Sequence, residues 1–137
     1  PLGTLSMLRK QENLYMDLYD DPDAVKEAVG EINETLKEYA AALCDAGADA
    51  IMFDTLFSSG TIMSKDMWRE MEADAVAELA QVVHDKGAMV MIHNCGEKIY
   101  FDAQIEAMKP DAISFLYPPD DCRDFVGPMV TPAARES

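Results

Sequence analysis

Hydrophobic and polar positions alternate with a helical period between Asp21 and Gly47. The apolar residues recur at steps of three and four, as on one face of an amphipathic helix. They are Val25, Val29, Ile32, Leu36, Ala40 and Leu43. Asp21 is predicted to cap this helix, with Pro22 at its first position and Gly47 just beyond its end.

Three short apolar runs have a different pattern, without the helical period. They are "ADAIMFDT" (48–55), "AMVMIH" (88–93) and "DAISFLY" (111–117). Unbroken apolar character of this length predicts strands covered on both faces, as in parallel sheets. Before the first helix, "GTLSML" (3–8) is predicted with less support to close an earlier strand.

Two further helices are predicted between these runs. The first begins at Ser64, a second candidate N-cap, and stops at Gly87. Its apolar positions are Trp68, Met71, Ala75, Leu79 and Val82. The second covers residues 97–110 and is stopped by Pro110.

Apolar strands separated by amphipathic helices indicate repeated βα units and a parallel sheet. Both an open doubly wound sheet and a (β/α)8 TIM barrel are built from such units. No glycine-rich phosphate loop follows a strand, which counts against a nucleotide-binding open sheet. A barrel needs about 250 residues, so this chain can supply only three or four units. We therefore predict a partial (β/α)8 barrel in residues 1–125, followed by a loose tail at 126–137.

Composition narrows the class of protein. The formal net charge of −15, from 26 acidic and 11 basic residues, repels phosphate backbones and makes nucleic-acid binding an unexpected function. No apolar run approaches the length of a membrane span, and no signal peptide opens the chain. Three widely spaced cysteines argue against a disulfide framework. We therefore expect a cytoplasmic protein that does not contact membranes.

Chemically capable side chains follow the predicted strands. Asp54 ends the first strand, His93 to Cys95 follow the second, and Tyr117 ends the third. In parallel sheets and barrels the active site gathers at these carboxyl ends. Strands also turn polar wherever they meet solvent, so position alone is a modest argument.

The triplet His93-Asn94-Cys95 adds geometry to this placement. Residues two apart in an extended chain project to the same side, so His93 and Cys95 can face one ion. Imidazole and thiolate are donors that suit zinc, and Gly96 allows the chain to turn away afterwards. The pair alone favours a plainer interpretation, a hydrogen-bonded histidine and an inert buried cysteine, because two ligands do not make a zinc site.

Candidates for a third ligand are few. Cys122 follows the third strand by five residues and fits a chance thiol in an acidic loop better than a ligand. Cys44 lies on the apolar side of the first helix and is predicted to be core. His84 ends the second helix, away from the strand ends. Asp54 remains, either as a ligand or as a hydrogen-bond acceptor for substrate.

Three segments carry a family resemblance: "AGADAIMFDTLFSSGTIMSKDMW", then "MIHNCG", then "PDAISFLY". Together they resemble the uroporphyrinogen decarboxylase superfamily, and within it the corrinoid-dependent methyltransferase branch. "PLGTLSML" also looks like that family's strand and loop before the helix. The resemblance covers residues 1 to about 125 and implies a middle portion of the family's (β/α)8 barrel.

The resemblance also implies a function. Methyltransferases of this branch hold zinc with a His-x-Cys pair, matched here by His93 and Cys95, and a distant second cysteine, to which Cys122 comes too early to be assigned. Zinc activates a thiol that exchanges a methyl group with a corrinoid (methylcobalamin) on a partner protein; some members use tetrahydrofolate instead. Asp54 would contact the polar substrate in either case.

Two alternatives stay open beside this function. The first is a metal-free decarboxylase of tetrapyrrole carboxylates, which binds its substrate with arginines. None of the four arginines stands at a clear strand end: Arg9, Arg69, Arg123 and Arg135. The second is a truncated, non-catalytic module that associates with itself through uncovered barrel edges. As it stands, the 137-residue chain is expected to bind zinc weakly or not at all and to transfer no methyl group.

Overall fold

The computed structural model of the chain describes residues 1–117. The predicted tail at 126–137 lies outside these residues, as do Cys122, Arg123 and Arg135. The described elements, in chain order, are α1 (Leu2–Arg9), α2 (Gln11–Asp20), α3 (Pro22–Asp45), β1 (Ala50–Asp54), α4 (Lys65–Trp68), a π-helical turn (Arg69–Ala73), α5 (Asp74–Asp85), β2 (Met89–Asn94), α6 (Phe101–Met108) and β3 (Ala112–Phe115).

The three strands form one parallel sheet in the order β1-β2-β3. Helices join each strand to the next, so the βα alternation predicted from the sequence is confirmed. A three-stranded parallel sheet with its helices forms part of a (β/α)8 barrel. Within the described residues, no helix is both long and apolar enough to cross a membrane.

The predicted helix caps are confirmed. The Asp21 side chain accepts a hydrogen bond from the Ala24 amide at 3.1 Å, and Pro22 is the first residue of α3. Gly47 follows the helix with φ of 101°, a conformation that glycine adopts without strain. Ser64 caps α4 by accepting from the Met67 amide at 3.2 Å.

The second predicted helix contains a π turn that changes which residues are buried. A π turn adds one residue to the helical repeat and so rotates everything after it. Val76 and Val83 are therefore buried, whereas the predicted apolar positions Ala75 and Val82 are only half-buried. The predicted stripe is correct before the turn, at Trp68 and Met71, and is displaced by one residue at these two positions after it.

The prediction of a strand in the first residues of the chain is wrong. "GTLSML" lies in helix α1 and does not close a strand. Leu2 is completely buried, and its amide donates to the buried Glu72 carboxylate at 2.7 Å. Leu5 packs against the same core. Leucines three apart share one helix face, and packing of that face against the core favours the helix.

The third predicted helix also starts later than expected, at Phe101. Residues 97–100 instead form a loop that pairs with the loop after β1, including an antiparallel bridge between Ser59 and Ile99. The Tyr100 amide donates to the Ser58 carbonyl at 3.0 Å. Lys98 has a φ of 54°, outside the right-handed helical region, so the helix cannot begin before this residue.

The two faces of the sheet have different environments. Ile51, Val90 and Ile92 point toward the helices and are buried. On the other face Met52 remains 60% exposed. The prediction that the strands are covered on both faces is therefore wrong within residues 1–117, because the described helices cover only one of them. The uncovered face is called the open face below; in a closed barrel it is the inner face.

Candidate functional site

Three polar residues form a row across the carboxyl end of the sheet, on its open face. Asp54 pairs in register with His93, and His93 pairs in register with Ser114. The Nδ1 atom of His93 lies 3.0 Å from the Ser114 hydroxyl oxygen. The structure thus brings two sequence-predicted residues together and adds Ser114. This is the edge at which barrel active sites are built.

Asp54 occupies one end of this row. One of its carboxylate oxygens accepts a hydrogen bond from the Leu56 amide at 3.3 Å, which directs the chain out of β1. The side chain stays exposed. Below the row, Met52, Met91 and Ala112 are paired in register and supply an apolar floor.

Asn94, between His93 and Cys95, is anchored on the buried side of the sheet. Asn94 points to the opposite face and is only 1% exposed. Its amide nitrogen donates to the Thr55 carbonyl at 2.7 Å, and its carbonyl oxygen accepts from the Gly96 amide at 2.8 Å. His93 is half-buried on the open face, and Cys95, the first residue after β2, is exposed.

Gly96 is required for space. The chain bends at residues 96–98, as predicted, although the φ of Gly96 is not positive. A Cβ atom at this position would lie 2.5 Å from the hydroxyl oxygen of Ser59 and 2.8 Å from its Cβ. The loop after β1 therefore packs directly against the backbone that follows Cys95.

A buried, uncharged hydrogen-bond network lies behind the row, and no pattern in the sequence identified it. Gln104 donates to the hydroxyls of Thr55, at 2.8 Å, and Ser58. The Ser58 hydroxyl also accepts from Asn94 and donates to the Thr55 carbonyl. Both Gln104 and Ser58 are completely buried. The network joins α6 to the ends of β1 and β2.

The loops that follow β1 and β2 are also joined at the surface. Besides the Ser59–Ile99 bridge, the Gly60 amide donates to the Lys98 carbonyl at 3.0 Å. The Thr61 hydroxyl accepts from the Glu97 amide at 2.9 Å and lies 3.2 Å from the Glu97 carbonyl oxygen. We call these paired segments, residues 59–61 and 97–99, the loop clasp. It fixes the two loops that follow Asp54 and Cys95.

Beside the clasp, an ion pair links the helices that follow these loops. Lys65 at the start of α4 contacts the Asp102 carboxylate of α6 at 2.6 Å. The Lys65 ammonium, through this hydrogen bond, holds the pKa of Asp102 below its usual range.

Some of the side chains at this end of the sheet are of a kind that binds zinc. Imidazole and an exposed thiol are zinc ligands, and Ser114 engages only one ring nitrogen of His93. Across residues 1–117, however, no group of three or more His, Cys, Asp or Glu side chains is arranged to hold a metal ion. His93 and Cys95 are thus two residues of a kind that binds zinc, and Asp54 does not complete a three-ligand group with them.

The remaining candidates lie elsewhere. Cys44 is half-buried and packs against the core on α3, as expected. Tyr117 follows β3 and is 41% exposed. His84 lies 3.3 Å from Asp111 at the amino end of the sheet, away from the row. The Val90 amide donates to the Asp111 carboxylate at 2.8 Å; this bond, assisted by His84, lowers the pKa of Asp111.

A protein-family model described as Uroporphyrinogen decarboxylase (URO-D) matches residues 1–126. The match covers nearly the whole chain, including the row, the network and the clasp. No curated protein and no solved structure matches the chain.

Proposed function

The chain belongs to the uroporphyrinogen decarboxylase family, and from this premise we propose that it serves zinc-assisted methyl transfer between a corrinoid protein and a thiol or tetrahydrofolate acceptor. The observation that carries the proposal is the pair His93 and Cys95 at the carboxyl end of β2. Both are solvent-accessible, while Asn94 between them is bound on the opposite face. Family membership alone does not distinguish the methyltransferase branch from the decarboxylases.

In this proposal His93 and Cys95 hold the zinc ion. Zinc, when bound, lowers the pKa of a thiol acceptor so that its thiolate forms near neutral pH. The chain itself supplies the placement of the two donors. Asn94 holds the strand exit through its hydrogen bond to Gly96, and the loop clasp fixes the loop that follows Cys95. Positioned groups of this kind reduce the entropy lost when reactants meet.

Asp54 is assigned to substrate binding. Its exposed carboxylate lies in the same row as His93 and accepts hydrogen bonds only. It therefore suits an acceptor molecule that presents N–H or O–H groups. Met52 and Met91, directly below, offer an apolar surface to the rest of that molecule.

The decarboxylase function is less well supported by the described arginines. Guanidinium groups bind carboxylates such as those of a tetrapyrrole in a bidentate manner. Arg9 instead pairs with Asp17 at 2.7 Å, and Arg69 pairs with Glu106 at 3.2 Å, both on helices. In the part of the chain that the structure describes, neither arginine reaches the row.

We propose that the 137-residue chain associates with itself. The open face exposes Met52 and Met89, and β1 and β3 are the edge strands of the described sheet. Exposed apolar faces and strand edges favour pairing with another chain. Sedimentation velocity at several concentrations tests this proposal, and a monomer at every concentration would contradict it.

Metal analysis tests the proposed function. Because the 137-residue chain is expected to bind zinc weakly, its zinc affinity is measured by titration at equilibrium, for the protein and for His93→Ala and Cys95→Ala. The chain contains two histidines and three cysteines, so His84→Ala and Cys44→Ala are matched controls. We expect the zinc affinity to fall in the first pair and to stay unchanged in the second. Equal zinc affinity in all four variants would refute the proposal.

Product analysis separates the two enzyme classes. The protein is incubated with uroporphyrinogen in the presence of a strong zinc chelator, and oxidised porphyrin products are followed by fluorescence. No decarboxylated product is expected. Decarboxylation that survives chelation would favour the decarboxylase function and assign the pair a structural role.

A further inference from the structure

Ser114 occupies the position in the row next to His93. We propose that Ser114 is a positioning residue: its hydroxyl accepts a hydrogen bond from the Nδ1–H of His93, which leaves the Nε2 lone pair free. The inference rests on the proposed function, in which Nε2 is the zinc donor. It adds a residue from the neighbouring strand to the proposed site.

The strand register places the two side chains together. The pairs Ile92–Ile113, His93–Ser114 and Asn94–Phe115 fix β3 against β2. Neighbouring strands lie about 4.8 Å apart, and side chains paired in this way leave the sheet on the same side. The short serine side chain brings its oxygen to 3.0 Å from Nδ1, an ordinary hydrogen-bond distance.

The direction of the bond follows from the ring chemistry. A neutral imidazole carries one proton, so one nitrogen donates and the other accepts. A histidine that binds a metal uses the unprotonated nitrogen, and its protonated nitrogen donates to a neighbouring acceptor. A serine hydroxyl has two acceptor lone pairs and can fill that role. With only His93 and Cys95 available as ligands among residues 1–117, the wrong tautomer would remove half of the described donors.

Asp54 does not compete for this role. It lies on the other side of His93 in the row, and its recorded side-chain hydrogen bond comes from the Leu56 amide. The contact to Ser114 is the hydrogen bond that the structure gives the His93 ring. Within the described residues, the residue that sets the tautomer of the His93 ring therefore lies on β3.

Nitrogen NMR of the histidine rings tests the assignment without any metal. The spectrum is recorded about two pH units above the ordinary histidine pKa of about 6.5, where each ring's shifts report its tautomer. We expect His93 to be in the Nδ1–H form in the protein, to move toward a mixture in Ser114→Ala, and to return in Ser114→Thr. His84, which contacts Asp111, is the internal control and should not change. An Nε2–H form of His93, or an unchanged ring in Ser114→Ala, overturns the proposal.

Cobalt titration provides the second readout. Co²⁺ stands in for zinc and reports thiolate ligation by its charge-transfer absorption. Loss of a hydrogen-bond partner of a ligating histidine weakens metal binding by about 10- to 100-fold, and Ser114→Thr should restore the affinity. Because the 137-residue chain is expected to bind metal weakly, the titration extends to a large excess of Co²⁺; if no cobalt binds, the NMR result alone decides the role of Ser114. Unchanged cobalt affinity in Ser114→Ala overturns the positioning role.

Discussion

The two ends of the sheet are tied by different chemistry. At the carboxyl end, Asn94 and Gln104 are buried and uncharged, and they bind hydroxyl and backbone groups. At the amino end, Asp111 is charged and exposed, and it binds the Val90 amide and lies beside His84. The carboxyl-end network connects β2 and α6 to the loop after β1. The Asp111 side chain connects the start of β3 to β2 and to the end of α5.

This difference follows from the cost of burying charge. An unpaired ion transferred into a protein interior is strongly destabilising, whereas a neutral amide needs only its hydrogen bonds. The uncharged network behind the proposed site can therefore be buried, even with the Gln104 carbonyl oxygen unpaired among the described residues, while the charged tie at the amino end stays in contact with water. We expect mutations at the carboxyl end to change stability most, and pH to act at the amino end.

The largest effect is expected for Asn94→Ala. The substitution leaves the buried Gly96 amide without its side-chain acceptor and removes the tie to Thr55. A buried donor left unpaired costs about 1–3 kcal/mol, and the vacated volume adds to this, giving a total of about 2–4 kcal/mol. The free energy of unfolding, from urea denaturation, measures it.

Asn33→Ala is the matched control for that measurement. Asn33 is 2% exposed, but only its amide nitrogen is bound, to the Ala75 carbonyl at 2.9 Å. Its carbonyl oxygen has no partner in the described part of the chain. A loss of about 1 kcal/mol is expected. Equal losses in the free energy of unfolding at the two asparagines would mean that the carboxyl-end network stabilises the fold no more than a single buried hydrogen bond does.

A smaller loss is expected for Gly96→Ala. The new Cβ would meet Ser59, and overpacking of this kind costs about 1–3 kcal/mol. Ser59→Gly removes both close atoms and should recover much of the loss in the double variant. The same glycine-to-alanine change at Gly30, in the exposed interior of α3 with no atom within 4 Å, should stabilise by about 0.5–1 kcal/mol. Urea denaturation that gave both changes the same sign would contradict the packing account.

The smallest effect is expected for Asp111→Asn, and it depends on pH. The pKa of Asp111 is lowered, first by the Val90 amide and then by His84. A lowered folded-state pKa gives stability that is present above the unfolded value of about 4 and is lost as pH falls through the folded value. The variant should therefore lose less stability than the unmodified protein on acidification below about pH 4.

Urea midpoints measured at neutral pH and at several acidic values check this expectation. Asn94→Ala is the control, because the amide that it removes does not titrate, so its acid-induced loss should match that of the unmodified protein. If Asp111→Asn showed the full acid-induced loss, the exposed tie would contribute nothing to the pH dependence.

Much of the fold was predictable because its signals are local. Asp21 and Pro22 mark the start of α3, Gly47 marks its end, and each acts through neighbouring backbone atoms. Asp54 and His93 were expected at one end of a parallel sheet, and the strand pairing places them in one row. The helical course of α1 was missed because it depends on Leu2 reaching a core contributed by distant residues.

The supporting residues of the site were less accessible to sequence reasoning. Gln104 looks like any polar residue on a short helix, and its burial becomes evident only when α6 packs behind the loop after β1. Ser114 was counted as part of an apolar strand, although its pairing with His93 gives it a specific neighbour. Asn94 could have been noticed, since strand alternation already placed it opposite His93 and Cys95.

The loop clasp has a consequence for redesign and for inheritance of this site. Barrel proteins acquire different chemistries largely by variation of the loops after their strands. Here the Ser59–Ile99 bridge and the Thr61–Glu97 contacts make the structure of each loop depend on the other. A graft that replaced one loop alone would leave the backbone groups of the other without partners. In protein design, the loops after β1 and β2 should therefore be replaced together. In evolution, substitutions in one loop should be accompanied by substitutions in the other.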